Sequence, residues 1–127
     1  MLIYSNNPKV REKYRPAHYE PMQIQSFLKR VRDQIHCGAK LLSDPLPASR
    51  RMLESPYRSV VLSKPEGAAR QDVDLHSLET IEKALMQYER IKGMKMPVDQ
   101  EVLQDFQYVD EMLLQSTLNE LGVSWEV

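Results

Sequence analysis

The residues of this chain with the most reactive chemistry crowd into one short stretch: Arg32, Asp33, His36 and Lys40, with Cys37 among them. Arg32, His36 and Lys40 recur at i, i+4 and i+8, so on a helix they share a face. Three cations on one stripe suit a carboxylate or phosphate, and a neighbouring cation would activate the Cys37 thiol. Asp33 and Cys37 are also i, i+4. The alternative is a solvated helix face carrying one half-buried thiol, since cysteine is among the residue types most often buried.

A second group sits near the start. Asn6 and Asn7 fall where an apolar run, Met1 to Ser5, gives way to Pro8 and a helical pattern. Ligands in open α/β sheets bind beyond the carboxyl ends of strands, and helix N-termini attract anions, which predicts an amide-lined pocket for a small anion. The reading that an Asn-Pro turn opener favours is that Asn7 is a helix cap and Asn6 a turn residue. Tyr57 and Arg58 form a third group directly before an apolar β-branched run, which would hold them still. Arg50, Arg51 and Arg58 flank Ser55-Pro56-Tyr57, and arginines so placed can clamp an anion bidentately.

Other chemistries lack their patterns. His18, His36, His76 and Cys37 show no short ligand spacing of the kind zinc uses. No Gly-x-Ser-x-Gly elbow surrounds Ser43, Ser59 or Ser63, and no glycine-rich phosphate loop is present. Asp110 and Glu111 lie on an acidic helical segment and read as a solubilising pair. No metal and no cofactor is implied, and no catalytic residue is assigned.

The elements that must position these residues are legible as alternating strand and helix signals. A strand at the N-terminus is followed by a short helix from Lys9 to about Tyr14, with Asn7 as N-cap and Pro8 at the first helical position. A weak strand lies around His18-Tyr19, demoted to an edge by Pro21. Ile24, Leu28, Val31, Ile35, Ala39 and Leu42 recur in steps of four and three and predict a long amphipathic helix, widened by Phe27. Gly38 either sits inside that helix or ends it. Arg58 to Ser63 has the character of a strand buried on both faces, and Lys64-Pro65-Glu66-Gly67 turns the chain.

Asp74 caps the next helix, with Leu75, Leu78, Ile81, Leu85 and Tyr88 as its inner face and Gly93 at its end, before Pro97. The last helix starts at Asp99, with Val98 and Leu103 as a hydrophobic staple. Val102, Phe106, Val109, Leu113 and Thr117 form one line, and Leu114, Leu118 and Leu121 lie beside it. Gly122 closes the helix, and Val123 to Val127 form a last short strand or a docked tail. The fold class expected is α/β: a small parallel or mixed sheet of two to four strands covered by three main helices. One domain spans residues 1–127, with an acidic C-terminal helix at about 99–121.

The net charge of −1 conceals a split. Residues 1–70 hold 13 Lys/Arg against 6 Asp/Glu, whereas residues 96–127 hold 7 acidic residues and no basic one. Either the acidic helix neutralises a basic half internally, or two faces meet different partners, a second copy of the chain among them. The slightly negative total and the absence of a dense basic run argue against nucleic acid. No apolar run is long enough to span a membrane, and the N-terminus lacks the pattern of a secretory signal. A single cysteine, Cys37, fits a reducing cytoplasm.

Taken together, the strand ending in Asn6-Asn7-Pro8, the segment Val31-Arg-Asp-Gln-Ile-His-Cys-Gly-Ala-Lys-Leu-Leu42, Asp44-Pro45-Leu46 and Ser55-Pro-Tyr-Arg-Ser-Val60 resemble the GrdX family. These are small proteins encoded beside the subunits of glycine, sarcosine and betaine reductase in amino-acid-fermenting anaerobes. The resemblance covers roughly residues 1–90. It departs from the family pattern His-Lys-Gly-His-Lys-Leu-Leu-Thr-His-Pro-Leu at Cys37, Ala39 and Asp44, which stand for a lysine and two histidines. Matching positions are Asn6, Asn7, Arg32, Asp33, His36, Gly38, Lys40, Tyr57 and Arg58.

The resemblance implies a role near a reductase system that works with selenocysteine and thiols, and no catalysis by this chain itself. The expected function is therefore accessory or regulatory, with reductase subunits as partners. A small-anion sensor or enzyme with its pocket at the end of the first strand is the alternative from the residues. A homodimeric module joined through the C-terminal helix is the third.

Overall fold

The protein's structure, a computed structural model, describes residues 1–15, 17–47, 51–64, 73–91 and 99–122. Strand β1 (Leu2–Ser5) leads into helix α1 (Pro8–Lys13), strand β2 (His18–Tyr19) and helix α2 (Ile24–His36). A 3-10 turn at Arg51–Glu54 precedes strand β3 (Ser59–Leu62), and helices α3 (Leu75–Arg90) and α4 (Gln100–Glu120) follow. The strands form one mixed sheet in the order β2-β1-β3, β1 being parallel to β2 and antiparallel to β3. This is the small α/β architecture that the alternating signals predict.

Strand alternation sorts the core into two layers. Leu2, Tyr4, Val60 and Leu62 face α2 and α3, meeting Leu28, Val31, Ile35, Ile81 and Ala84. Ile3 and Val61 face the other way, against Val10, Tyr14, Leu114 and Leu118 of α1 and α4. Val60, Val61 and Leu62 are all fully buried, as a strand covered on both faces requires.

Gly38 ends α2 rather than continuing it. Its φ of 106° is in the region that side-chain-bearing residues avoid, and it turns the chain back toward the sheet. Ala39 still reaches the core, and residues 40–43 then run along the outer edge of β3. Leu42 N donates to Val61 O at 2.8 Å, Ser63 N to Lys40 O at 2.9 Å, and Leu41 bridges Leu62. That segment covers what would otherwise be an open sheet edge.

Three caps form as expected, Asn7, Asp74 and Asp99 each accepting a hydrogen bond from a first-turn amide. Two face assignments need correction. Leu75, at the first position of α3, is 74% exposed and does not belong to the inner face. In α4 the buried line is Phe106, Asp110, Leu114 and Leu118 together with Glu111, whereas Val102, Val109 and Leu113 lie toward solvent. Asp110 and Glu111 are thus core-facing, not a solubilising pair. The staple residue Val98, the helix end at Gly93 and Pro97, the turn at 65–67, Arg50, and the tail from Val123 lie outside the described residues.

Candidate functional site

The carboxyl end of β1 is where the buried polar chemistry collects. Ser5 and Ser59 are register partners on the β1–β3 ladder and both point toward α4. Ser59 Oγ donates to Asp110 Oδ2 at 2.7 Å. With that hydroxyl committed, Ser5 is the donor in the 2.7 Å Ser5–Ser59 contact, and Ser5 Oγ accepts from the Asn7 amide at 2.9 Å. Asn7 closes the ring: its Nδ2 donates to Asp110 Oδ2 at 3.0 Å and to Gln107 O at 2.9 Å, while its Oδ1 caps α1 through Lys9 N at 3.0 Å.

Asn6 does the same work in the other direction. Its Oδ1 accepts from Arg58 N at 2.7 Å, and its Nδ2 donates to Met22 O at 2.8 Å and Pro56 O at 2.9 Å. A carboxamide has two donor hydrogens, so in both asparagines the donors are consumed by the protein. They hold β1, β3, α4 and the segments before α2 and β3 in place rather than opening toward a ligand. Tyr57 Oη accepts from Gln107 Nε2 at 2.8 Å, adding a further tie to α4.

Arg58 is only 3% exposed, although arginine is almost never buried unless paired. Its Nη2 donates to Tyr88 Oη at 2.8 Å and to Met52 O at 3.3 Å, while the buried Nε has no partner. Asp110 is equally buried, and desolvation raises its pKa above the ordinary carboxylate value. The hydrogen bonds from Asn7 and Ser59 and the positive charge of Arg58 oppose that rise. On the far side of α4, Glu111 takes Lys13 at 2.6 Å and the Tyr14 hydroxyl at 3.3 Å. The hydrogen bond to Glu111 raises the pKa of Lys13, and burial raises that of Tyr14.

The helix group separates from this network. Arg32 Nη1 pairs with Glu82 Oε1 of α3 at 3.1 Å, so it stitches two helices together. His36 and Cys37 are exposed at the end of α2, and the thiol is therefore not the half-buried one of the bland sequence reading. Lys40 is exposed as well, but Gly38 has ended the helix before it, so the i, i+4, i+8 stripe is broken.

Asp33 goes elsewhere again. It lines an open cleft of about 420 Å³ on the α2 face of the sheet, with Tyr4, His18, Glu20, Arg30 and Gln34. The structure thus joins Asn6, Asn7, Tyr57 and Arg58 in one network, turns Arg32 to α3, and leaves Asp33 on a cleft wall. Among the described residues no group of three His, Cys, Asp or Glu side chains is placed to hold a metal ion. None of the described helices is long and apolar enough to cross a membrane.

The residues that sequence reasoning missed are Ser5, Ser59, Tyr88, Gln107, Asp110 and Glu111. For Asp110 a signal existed: it interrupts the four-residue steps Phe106, Asp110, Leu114, Leu118, and a carboxylate inside an apolar line needs a buried partner. Arg30, Glu20 and His18 carried no such mark, since only the tertiary pairing of β2 with β1 brings His18 and Glu20 to the same cleft as Arg30 of α2.

Compared with known proteins, the chain matches the family model described as GrdX-like protein over residues 2–119. No curated protein and no solved structure matches it.

Proposed function

Because the chain belongs to the GrdX-like family, we propose that it serves the glycine, sarcosine or betaine reductase system as an accessory protein, docking on a reductase subunit through α4. The observation that carries this reading is the outer side of α4. Val102, Val109, Met112 and Leu113 are between 37% and 49% exposed. At 100° per residue they fall within an arc of about 100° on the helix. An amphipathic helix ordinarily turns such an arc inward. Here the inward side is occupied by Phe106, Asp110, Glu111, Leu114 and Leu118, and the second apolar stripe is left for a partner.

Charge narrows the partner. The exposed carboxylates of α4 are Glu101, Asp105 and Glu120, and the helix holds no Lys or Arg. Two copies paired through this stripe would set carboxylates against carboxylates, whereas a partner with basic residues around an apolar groove complements it. The accessory role is supported further by Asn6 and Asn7, whose side-chain donors are spent on the protein's own acceptors instead of converging on an open space.

Binding to each purified reductase subunit, read by calorimetry, tests this. A subunit should bind the wild-type chain, and Met112→Glu/Leu113→Glu should weaken it by at least about tenfold. No binding to any subunit overturns the reading. Binding that ignores the double variant refutes α4 as the contact, and a concentration-dependent dimer abolished by the variant replaces it with self-association.

A further inference from the structure

The cleft on the opposite face of the sheet from α4 has the composition of a ligand site that the accessory reading leaves unused. Tyr4 and His18 are register partners on β1 and β2, and their rings stack with centroids 4.7 Å apart and planes 13° from parallel. His18 is exposed, so the stacked pair offers a free ring face to a third planar group. Arg30 and Glu20 stand at the rim, joined by a single loose contact of 3.5 Å with side chains 60% and 50% exposed. Most of the guanidinium's donors therefore face the cleft or solvent.

Asp33 and Gln34, one turn along α2, line the same space and make no side-chain hydrogen bond among the described residues. Tyr4 Oη is likewise without a hydrogen bond there. Burial raises its pKa, with a further rise from the Glu20 charge, so the phenol stays a donor. Hence one guanidinium, two carboxylates, a phenol, a carboxamide and a ring face converge on about 420 Å³, a volume within the range of small-molecule sites.

We propose that this cleft binds a zwitterionic amino acid with a planar side chain. The ligand carboxylate takes the free fork of Arg30, a geometry that guanidinium groups favour. Its ammonium lies between Asp33 and Glu20, where the pair of carboxylates outnumbers the one arginine and selects for a positive group. The side chain stacks on the exposed face of His18. An anion without an ammonium meets two carboxylates against one arginine and is disfavoured, which separates this site from a phosphate or acetate pocket.

Calorimetric titration of the full chain with L-tryptophan, tryptamine and indole-3-propionate tests each part. Saturable binding of tryptophan is expected, with the amine and the acid each at least about tenfold weaker. Arg30→Gln should lower tryptophan affinity by about tenfold without weakening tryptamine, and Asp33→Asn should weaken both. Arg30 and Asp33 are exposed, so both variants retain the fold, checked by circular dichroism. No saturable tryptophan binding up to about 10 mM overturns the proposal. So does an affinity for either single-charge analogue that matches tryptophan's, or indifference to both substitutions. The α4 variants leave this cleft intact, so its failure and that of the docking face are read independently.

Discussion

Ser59 and Asp110 are 51 residues apart in sequence and 2.7 Å apart in space, a serine at the start of β3 donating to a carboxylate in the last helix. The contact lies where β1, β3 and α4 converge, and it is continued by Asn7 on one side and Ser5 on the other. Removing the acceptor strands the Ser59 hydroxyl and one hydrogen of the Asn7 carboxamide, and no water replaces it at Asn7, which is 0% exposed. Asp110→Ala should therefore cost about 2–4 kcal/mol of unfolding free energy. Ser59→Ala, which leaves Asp110 its Asn7 donor, should cost about 1–2 kcal/mol. Exposed Glu101→Ala should stay within about 0.5 kcal/mol of the parent. Urea unfolding of the three variants decides it, and an Asp110→Ala chain as stable as Glu101→Ala would show the network to be idle.

The same carboxylate sets a pH dependence of unusual sign. Folding raises the pKa of Asp110 by burial, so the folded chain binds this proton more tightly than the unfolded one. Stability from this group then falls as pH rises from the ordinary aspartate value of 3.8 through the raised folded value, and stays low above it. Asp74 works the other way. The Ser77 hydroxyl and amide lower its pKa, so its contribution is present above 3.8 and disappears as pH falls through the folded value. Asp110→Asn should remove the downward slope above 3.8, and Asp74→Asn the loss below it. Melting temperatures of both variants and the parent across pH 3 to 8 separate the two, and identical profiles for Asp110→Asn and parent would contradict the assignment.

Arg58 is a buried cation whose one side-chain hydrogen-bond acceptor among the described residues is the Tyr88 hydroxyl of α3. Tyr88→Phe keeps the ring in the core and removes only that acceptor, which should cost about 1.5–3 kcal/mol. Arg58→Met on its own should be milder, because the charge that needs compensation leaves with it. In the double variant the Tyr88 loss should largely vanish, giving a coupling of about 1 kcal/mol or more. Simple additivity in that cycle would mean that the hydroxyl does not stabilise the guanidinium.

How much of this was legible depends on the range of the interaction. Helix faces set by local periodicity came through: Ile24, Leu28, Val31 and Ile35 are buried as their spacing requires, and Asn7, Asp74 and Asp99 cap as their positions require. The grouping of Asn6, Asn7, Tyr57 and Arg58 was half legible. Their places at strand ends marked them, but not that their donors would be spent internally. Arg32, His36 and Lys40 failed as a group because the spacing argument assumes an unbroken helix, and Gly38 breaks it. Asp110 was misjudged because composition alone reads an acidic helix as solvent-facing, while Ser59 and Asn7 supply its partners from more than 50 residues away.

Gly38 deserves a direct test because one torsion there decides two things, where α2 stops and where residues 40–43 go. Its φ of 106° holds the chain so that Leu42 N reaches Val61 O at 2.8 Å and Ser63 N reaches Lys40 O at 2.9 Å. An alanine at this position meets steric strain of about 1–2 kcal/mol. The chain can relieve it by extending α2 one more residue, but that rotates Ala39 out of the core and lifts the segment from the edge of β3. Gly38→Ala should therefore lower global stability by about that amount. It should also accelerate hydrogen exchange selectively at the Leu42 and Ser63 amides, while the β1–β3 ladder amides slow or quicken only with global stability. Uniform acceleration across the sheet would mean that the glycine acts through overall stability alone and does not set the path of the covering segment.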